Sequence, residues 1–454
     1  MVFVLAAILV AITVFVYMLG KQGIISPSIL FMLPFSISAF WLTLNISRWN
    51  VVLYGNTLMI ITFGCLSFLL GVFVASLYKA RGFKVKRVLK VTEYSSDVCI
   101  PNKLFVALAI IELVIFIICL REIRAVVHRY GYRGTLSFEI YRYRNLGMYT
   151  TNSTSLGRWV DWAYQFNLGC GYIWAYILIH RLSLKRKINV SIIACLVISI
   201  ITALIKGGRQ STIQIIFAAM TYYVVFYGIN HKRRKIPWKS LFKILLIIVI
   251  LGISFQSIGT ILGRTVQADF MQYIAVYLSG GIHNLNVWLN NSLSRSSFFG
   301  QYTFANIYPY LGRKFGRTEW IFVLSSPYLS ANGHNSGNIY TTFWPFIYDF
   351  GYIGAIIMPF IMGLISERIY KYAICGEMKS EANIKLSIIL YGYTSYLLEF
   401  SFFGDKFYGG FVKLAFFRTL VIWITMIYVL NRMTSVMRSH KHNRQSTNAL
   451  RDVQ

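Results

Sequence analysis

Long apolar runs recur along the whole chain, and short polar segments separate them. A helix that crosses a membrane needs about 20 mostly apolar residues. The predicted spans are Val2–Met18, Ile24–Leu44, Val51–Tyr78, Leu104–Leu120, Trp159–Ile179, Val190–Ile205, Thr212–Gly228, Leu241–Leu262, Phe343–Ile365, Ile384–Phe403 and Val412–Leu430. The pattern therefore predicts an all-α polytopic integral membrane protein with about 11 transmembrane helices.

Composition supports the same class of protein. Apolar residues make up 56% of the chain and charged residues 13%, whereas a soluble domain carries about 25% charged residues. No internal repeat is visible, although related halves are common in transporters. We expect one transmembrane helical domain over residues 1–431, followed by a basic cytoplasmic tail over residues 432–454.

The formal net charge of +30 suggests nucleic acid only if the protein is soluble. Here lysine and arginine cluster in short loops between apolar runs, as expected for cytoplasmic loops. The clusters lie within residues 79–90, 181–187, 232–239 and 432–444. We therefore predict no nucleic-acid partner. The six cysteines contain no CxxC pair and predict neither a disulfide framework nor a metal site.

Two long loops, residues 121–158 and 263–342, fall on the opposite, outer face. The first contains seven arginines, including Arg158, and no lysine; the second contains Arg264, Arg295, Arg313 and Arg317, with Lys314 as its only lysine. A guanidinium group forms paired hydrogen bonds to phosphate, so the bias indicates a phosphate-bearing ligand. If one span is miscounted, the first loop lies in the cytoplasm instead.

A short turn, KGGRQS at Lys206–Ser211, also falls on the outer face. It places Arg209 at the start of a predicted helix. Backbone N–H groups at a helix N-terminus bind anions, so we favour an anion site here. The alternative is a basic side chain that extends to the membrane surface.

The most distinctive stretch is HNSGNIYTTFWPFIYDFGYIG, from His334 to Gly354. His334 and Asn338 lie in a polar, glycine-containing approach, and two threonines, Thr341 and Thr342, can cap the following helix. Asp349 lies about two turns into the span, where an acid is costly and often functional. A structural hydrogen bond between helices explains Asp349 equally well. The glycines Gly351 and Gly354 would allow a neighbouring helix to approach closely.

Two further features concern the second long loop. Glu319 follows Arg317 closely, and residues 270–288 have the pattern of an amphipathic helix on the membrane surface, with His283 as a structural side chain. No nucleotide-binding motif is present. A substrate would therefore have to arrive already activated, and we predict no cofactor and no metal.

Together, the His334–Gly354 stretch, the outward GGR turn and the two arginine-bearing loops resemble the bacterial oligosaccharide repeat-unit polymerases, the O-antigen polymerase (Wzy) family. The resemblance implies a multi-pass glycosyltransferase of the bacterial inner membrane. It would transfer a growing glycan from undecaprenyl pyrophosphate to a fresh lipid-linked repeat unit at the periplasmic face. The implied partners are the lipid-linked oligosaccharide, membrane lipid and a chain-length regulator protein.

Under this interpretation, the catalytic candidates are His334, Glu319 and Asp349. Pyrophosphate or glycan would be bound by Arg209, Arg264, Arg313, Arg317, Arg158 and Asn338. Two alternatives stay open. An O-antigen ligase uses the same donor but transfers it to the lipid A core. A flippase moves the lipid-linked unit, but it would need a charged path across the bilayer, and the predicted spans hold few charged residues.

Overall fold

The structure is a computed structural model, and it describes residues 1–19, 23–77, 100–149, 154, 156–230, 237–263, 269–291, 295–324, 326–375 and 383–451. The described chain is almost entirely helical. The helices are α1 (Val2–Leu19), α2 (Pro27–Thr43), α3 (Ile46–Trp49), α4 (Gly55–Leu77), α5 (Asn102–Arg129), α6 (Leu136–Tyr149), α7 (Arg158–Ser183), α8 (Val190–Leu204), α9 (Gln210–Asn230), α10 (Trp238–Ile261), α11 (Phe270–Asn291), α12 (Tyr308–Phe315), α13 (Phe343–Cys375), α14 (Leu386–Glu399), α15 (Phe407–Phe411) and α16 (Leu414–Arg451). A 3₁₀ turn covers Thr318–Trp320, and the strands β1 (Leu329–Ala331) and β2 (His334–Gly337) form an antiparallel hairpin.

Each predicted span coincides with a helix. Seven described helices are long and apolar enough to cross a membrane, namely α1, α4, α5, α9, α10, α13 and α16, and α2 and α8 are shorter apolar helices. The all-α membrane class is therefore confirmed. The number of spans, the side on which each loop lies and the domain limits stay predictions. Helix α16 runs from Leu414 to Arg451, so the predicted tail continues this helix as far as Arg451.

Of the described helices, α4 and α13 have the most extensive contact with each other. A Cβ atom on Gly71 would lie 2.1 Å from the Phe360 carbonyl oxygen, and one on Gly363 would lie 2.2 Å from the Phe68 carbonyl oxygen. Small residues at such contacts let helix backbones approach closely, which strengthens dispersion contacts within a membrane. These contacts lie in the part of α13 that follows the His334–Gly354 stretch.

Helix α13 is interrupted at Gly351, whose φ of 67° and ψ of −164° are not helical. Only glycine adopts this conformation readily. A Cβ on Gly351 would meet no described residue within 4 Å, and one on Gly354 would lie 2.3 Å from the Phe346 carbonyl oxygen of the same helix. The prediction that these two glycines admit a neighbouring helix is therefore wrong. Both glycines instead allow the break within α13, Gly351 by its positive φ and Gly354 by its close contact with Phe346.

The predicted threonine cap is also absent at the start of α13. Among the described residues, the hydroxyls of Thr341 and Thr342 have no hydrogen-bond partner. The backbone supplies the contacts instead, since Thr342 N–H donates to the Ser401 carbonyl at 2.9 Å.

Helix α11 forms where the amphipathic pattern predicts it, but its C-terminal half is buried in the bundle. His283 is only 3% exposed and its ring stacks on Trp49 at 5.2 Å between centroids. The neighbouring Asn286 binds the segment before α4, with its Nδ2 donating to the Val52 carbonyl at 2.8 Å. The prediction of a helix lying on the membrane surface is therefore wrong for this half. His283 packs inside the bundle, and its structural role stays a prediction.

Helix α7 lies at the centre of a second group of helices, in contact with α5, α8, α9 and α16. Within this group, the Trp174 indole N–H donates to Glu112 at 2.6 Å, and Asn167 Nδ2 donates to the Glu112 carbonyl at 2.9 Å. These buried hydrogen bonds fix α5 against α7.

Candidate functional site

The two long loops and the GGR turn meet at one end of the helical bundle. Gly207, with a φ of +73°, packs against α6 so closely that a Cβ would lie 2.8 Å from Arg144 Cβ. Gly263, at the end of α10, packs against the same helix, where a Cβ would lie 2.6 Å from the Ser137 carbonyl oxygen. Helix α6 therefore joins the turn to the start of the second loop.

A cavity of about 260 Å³ opens beside this turn, and we call it the lysine cavity. It lies between the ends of α7, α8, α9, α14 and α16. Its polar lining comes from Gln165, Lys206, Gln210, Ser211, Gln214, Lys413 and Thr419, and its aromatic lining comes from Tyr164, Tyr172, Tyr393 and Phe416. The described lining contains two cations and no acid.

Lys206 is held in the wall of the cavity by two neighbours. Its Nζ lies 3.2 Å from Asp161 Oδ1 and 3.8 Å from the centre of the Tyr164 ring. Asp161 also pairs with Arg418. Because Arg418 shares the Asp161 carboxylate, that charge is divided between two cations, and the local charge stays positive.

The segment between α14 and α16 brings further lysines to the cavity. Lys413 lines it directly, and Lys406 reaches α9, where its Nζ donates to Gln210 Oε1 at 3.3 Å. Asp405 lies beside Lys406, and its Oδ1 accepts a hydrogen bond from Tyr408 N–H at 3.1 Å. Sequence reasoning missed this segment, FGDKFYGGFVK, although its glycines interrupt two apolar runs.

Burial shifts the pKa values of these lysines and of Asp405. Burial lowers the pKa of Lys406 to about 8, and burial together with the neighbouring Lys406 charge lowers the pKa of Lys413 to about 8. Burial also raises the pKa of Asp405 to about 8, against the Tyr408 hydrogen bond. Burial lowers the pKa of Lys206, while Asp161 acts in the opposite direction. At neutral pH, both lysines of the 405–413 segment therefore carry charge and Asp405 is largely neutral.

An unused side-chain donor and a helix N-terminus also lie at the cavity. Gln214 is 4% exposed, and in the described part of the chain its Nε2 has no hydrogen-bond partner. Helix α9 begins at Gln210, so the positive end of its dipole lies at the cavity wall. A buried donor without an acceptor costs about 1–3 kcal/mol. An anion in the cavity would supply that acceptor.

Arg209 is placed beside the cavity but is turned toward α11. It is 6% exposed, and its two terminal nitrogens donate to the Tyr273 hydroxyl at 2.9 Å and the Tyr277 hydroxyl at 3.2 Å. The turn that carries Arg209 supplies Lys206 and Gly208 to the lining instead. The structure thus gives Arg209 a role in joining α9 to α11.

The other predicted arginines that the structure describes do not line the lysine cavity. Arg158 is the first residue of α7 and is exposed. Arg313 is exposed on α12, and Arg317 is exposed beside Glu319, with 3.4 Å between Arg317 Nη1 and Glu319 Oε1. Arg264 lies outside the described residues.

The predicted catalytic residues occupy three separate environments. His334 is exposed at the start of β2, after a turn in which Asn332 and Gly333 both have positive φ. Glu319 is exposed in the 3₁₀ turn, paired with Arg317. Asp349 lies just before the break in α13, and its carboxylate accepts the N–H groups of Tyr302 and Thr303, the latter at 2.6 Å.

The hairpin that carries His334 is fixed to α11 by one side chain. Asn284 Nδ2 donates to the carbonyls of Ser336, Gly337 and Ile339 at 3.0, 3.1 and 2.9 Å. Asn338, a predicted glycan ligand, is half-buried within this stretch. The chain that follows His334 is therefore held against α11.

The two long loops contain arginine almost without lysine, but the shorter segments at the same end of the bundle contain lysine. Lys206 lies in the short turn, and Lys406 and Lys413 lie in the segment before α16. Among the described residues, no group of three or more histidine, cysteine, aspartate or glutamate side chains is arranged to hold a metal ion. The arrangement at this end of the bundle is suited to binding an anion through lysines, amides and a helix N-terminus.

Comparisons of the chain with protein-family models, with curated proteins and with solved structures give no match.

Proposed function

We propose that this chain is a membrane-embedded glycosyltransferase that polymerises oligosaccharide repeat units carried on undecaprenyl pyrophosphate. The lysine cavity is the observation that carries the proposal. It combines Lys206, Lys413, the Gln214 amide and the α9 N-terminus at the end of a helical membrane bundle. These groups suit a pyrophosphate joined to a lipid, because the phosphates would lie at the bundle end while the lipid stays in the membrane.

The proposed reaction needs charge stabilisation on its leaving group. A hydroxyl of the acceptor sugar attacks the anomeric carbon of the donor glycan, and the bond from that carbon to the pyrophosphate oxygen breaks. The lipid pyrophosphate leaves with the bonding electron pair, and the acceptor proton passes to a base. Lys206 and Lys413 would stabilise the negative charge that develops on the pyrophosphate, as fixed cations do in other transfer reactions.

His334 is the base that we favour for the acceptor hydroxyl. Its ring is exposed on the hairpin, whereas the carboxylate of Asp349 already accepts two backbone N–H groups. Glu319 is exposed but paired with Arg317. The exposed residues Arg313, Arg317, Tyr310 and Tyr328 offer charge and flat rings to a glycan on the same long loop. Asn338 is the remaining predicted glycan ligand.

We place the protein in the bacterial inner membrane, with the lysine cavity on the periplasmic side, and we propose a chain-length regulator protein as a partner. This orientation requires the predicted eleven spans. Arg209 would act indirectly, by joining the GGR turn to α11 through Tyr273 and Tyr277.

The proposal is tested in cells that lack the gene and carry a plasmid copy. The wild-type copy should restore long polysaccharide, and Lys206→Gln and Lys413→Gln should leave lipopolysaccharide with a single repeat unit. Lys243→Gln, an exposed lysine on α10, is the matched control and should restore full length. Loss of every attached repeat unit would instead indicate a ligase. Full chain length in both cavity variants would exclude the lysine cavity.

A further inference from the structure

A second surface feature lies at the opposite end of the bundle from the lysine cavity, between α5 and α8. These helices run side by side in the same direction. Cys195 of α8 donates to the Phe105 carbonyl of α5 at 3.4 Å. Closer to the C-terminal ends of both helices, Ser199 Oγ lies 3.4 Å from Glu112 Oε2. Both helices therefore begin at the same end of the bundle.

An open groove of about 600 Å³ follows the seam between the two helices. One wall is formed by Val106, Ile110 and Leu113 of α5, and the other by Val190, Ala194 and Ile198 of α8. Ligand sites in proteins have volumes of about 300–1,000 Å³. Since α5 is long and apolar enough to cross a membrane, these walls face hydrocarbon.

The groove has one polar end, which lies at the first residues of both helices. Asn102, Asn189 and Ser191 line it there, and Ser191 Oγ donates to Asn102 Oδ1 at 2.5 Å. Among the described residues, neither helix start has a side-chain cap. Two helix N-termini, each with the partial positive charge of its helix dipole, therefore converge at this end.

The charge of the surrounding chain has the same sign. Lys103 follows Asn102 directly, and Lys187 precedes Asn189 by two residues; both lysines are exposed. Polar groups, helix N-termini and lysines thus lie at one end of an apolar groove. A phospholipid has the complementary structure, since a short glycerol backbone joins its phosphate to its acyl chains. Basic pockets between membrane helices bind anionic lipid headgroups in other proteins.

We propose that the α5–α8 groove binds an anionic phospholipid, with one acyl chain along the apolar walls and the phosphate at the starts of α5 and α8. A membrane helix of another protein would also cover the walls, but a helix supplies no anion for the polar end. The lipid is therefore the occupant that matches both parts of the groove. This site is separate from the lysine cavity and does not depend on the proposed glycosyltransferase activity.

Native mass spectrometry of the full-length protein with added phosphatidylglycerol or phosphatidylethanolamine tests this site. The wild-type protein should retain phosphatidylglycerol in preference. Ala109→Leu and Ala194→Leu, which fill the groove, should reduce that retention. Lys103→Gln and Lys187→Gln should each reduce the preference by about fivefold, because each basic residue near an anionic lipid contributes about that factor.

Matched controls exclude a general effect on folding or charge. Ala107→Leu lies on α5 outside the groove lining, and Lys239→Gln removes an exposed lysine at the start of α10. Both should bind lipid as the wild-type protein does. Equal retention of the two lipids by the wild-type protein would overturn the proposal. A dimer that Ala109→Leu dissociates and Ala107→Leu preserves would also overturn it, in favour of a helix as the occupant.

Discussion

At the scale of single residues, lysine protonation determines the charge of the proposed pyrophosphate site. Lys406 and Lys413 have a pKa of about 8, as has Asp405. As pH rises through 8, both lysines lose positive charge and Asp405 gains negative charge. All three changes disfavour an anion in the lysine cavity. Lys206 is the other charged residue of the described lining, and Asp161 and Arg418 lie beside it.

We therefore expect inorganic pyrophosphate to bind much more weakly at pH 9 than at pH 7. At pH 9 only about a tenth of a lysine with a pKa near 8 is protonated. Isothermal titration calorimetry across this range measures the effect. Lys413→Arg should bind better than the wild-type protein at pH 9, because a guanidinium group stays charged. Binding that does not change between pH 7 and pH 9 would contradict this assignment.

Asp349 is best explained as an anchor for the loop that contains Tyr302 and Thr303. Asp349→Ala should destabilise the protein by about 1–3 kcal/mol, since it leaves these backbone N–H groups without an acceptor. Asp349→Asn keeps an oxygen acceptor and should retain most of the activity. Thermal unfolding and chain length would be measured for both variants. An inactive but stable Asp349→Asn protein would show instead that the carboxylate takes part in catalysis.

At the GGR turn, the sequence predicted the place of a possible anion site but not the contacts of Arg209. The pattern predicted an anion site at the start of α9, and the lysine cavity lies there. The pattern did not show that Arg209 would bind Tyr273 and Tyr277, because that contact depends on the position of α11. Lys413 was missed for the same reason, since it reaches the cavity only when α16 packs against α7.

At the scale of helices, α11 is the element that connects the parts of the proposed site. Its first half holds Arg209 through two tyrosines, and its second half holds the His334 hairpin through Asn284. An amphipathic pattern predicted this helix correctly. The pattern did not distinguish a membrane surface from a polar protein interior, because both environments select one apolar face.

Asn284→Asp should uncouple the hairpin from α11. The substitution keeps the size of the side chain but replaces its N–H donors with an oxygen, facing the carbonyls of Ser336, Gly337 and Ile339. We expect faster hydrogen exchange across residues 334–339 and shorter polysaccharide. Asn290→Asp, an exposed position on the same helix, is the control. Unchanged exchange in Asn284→Asp would contradict the role of α11 as the support of the hairpin.

At the scale of the whole molecule, apolar runs located every membrane helix candidate, because a helix in lipid must satisfy its backbone internally and cover itself with apolar side chains. The break in α13 was not predicted, because a glycine within a span suits either a close helix contact or a positive φ. Contacts of α6 with Gly207 and Gly263 place the turn and both long loops at one end of the bundle. The number of spans and the side on which this end lies stay predictions.

We propose that the lysine cavity binds the pyrophosphate of a lipid-linked glycan during its transfer. The most direct test incubates the purified protein, reconstituted in vesicles, with the undecaprenyl-pyrophosphate-linked repeat unit from its own host. We predict products longer by whole repeat units, with release of undecaprenyl pyrophosphate, and loss of both in the Lys206→Gln/Lys413→Gln double variant. Vesicles that move the lipid-linked unit across the membrane without ever lengthening it would contradict the claim.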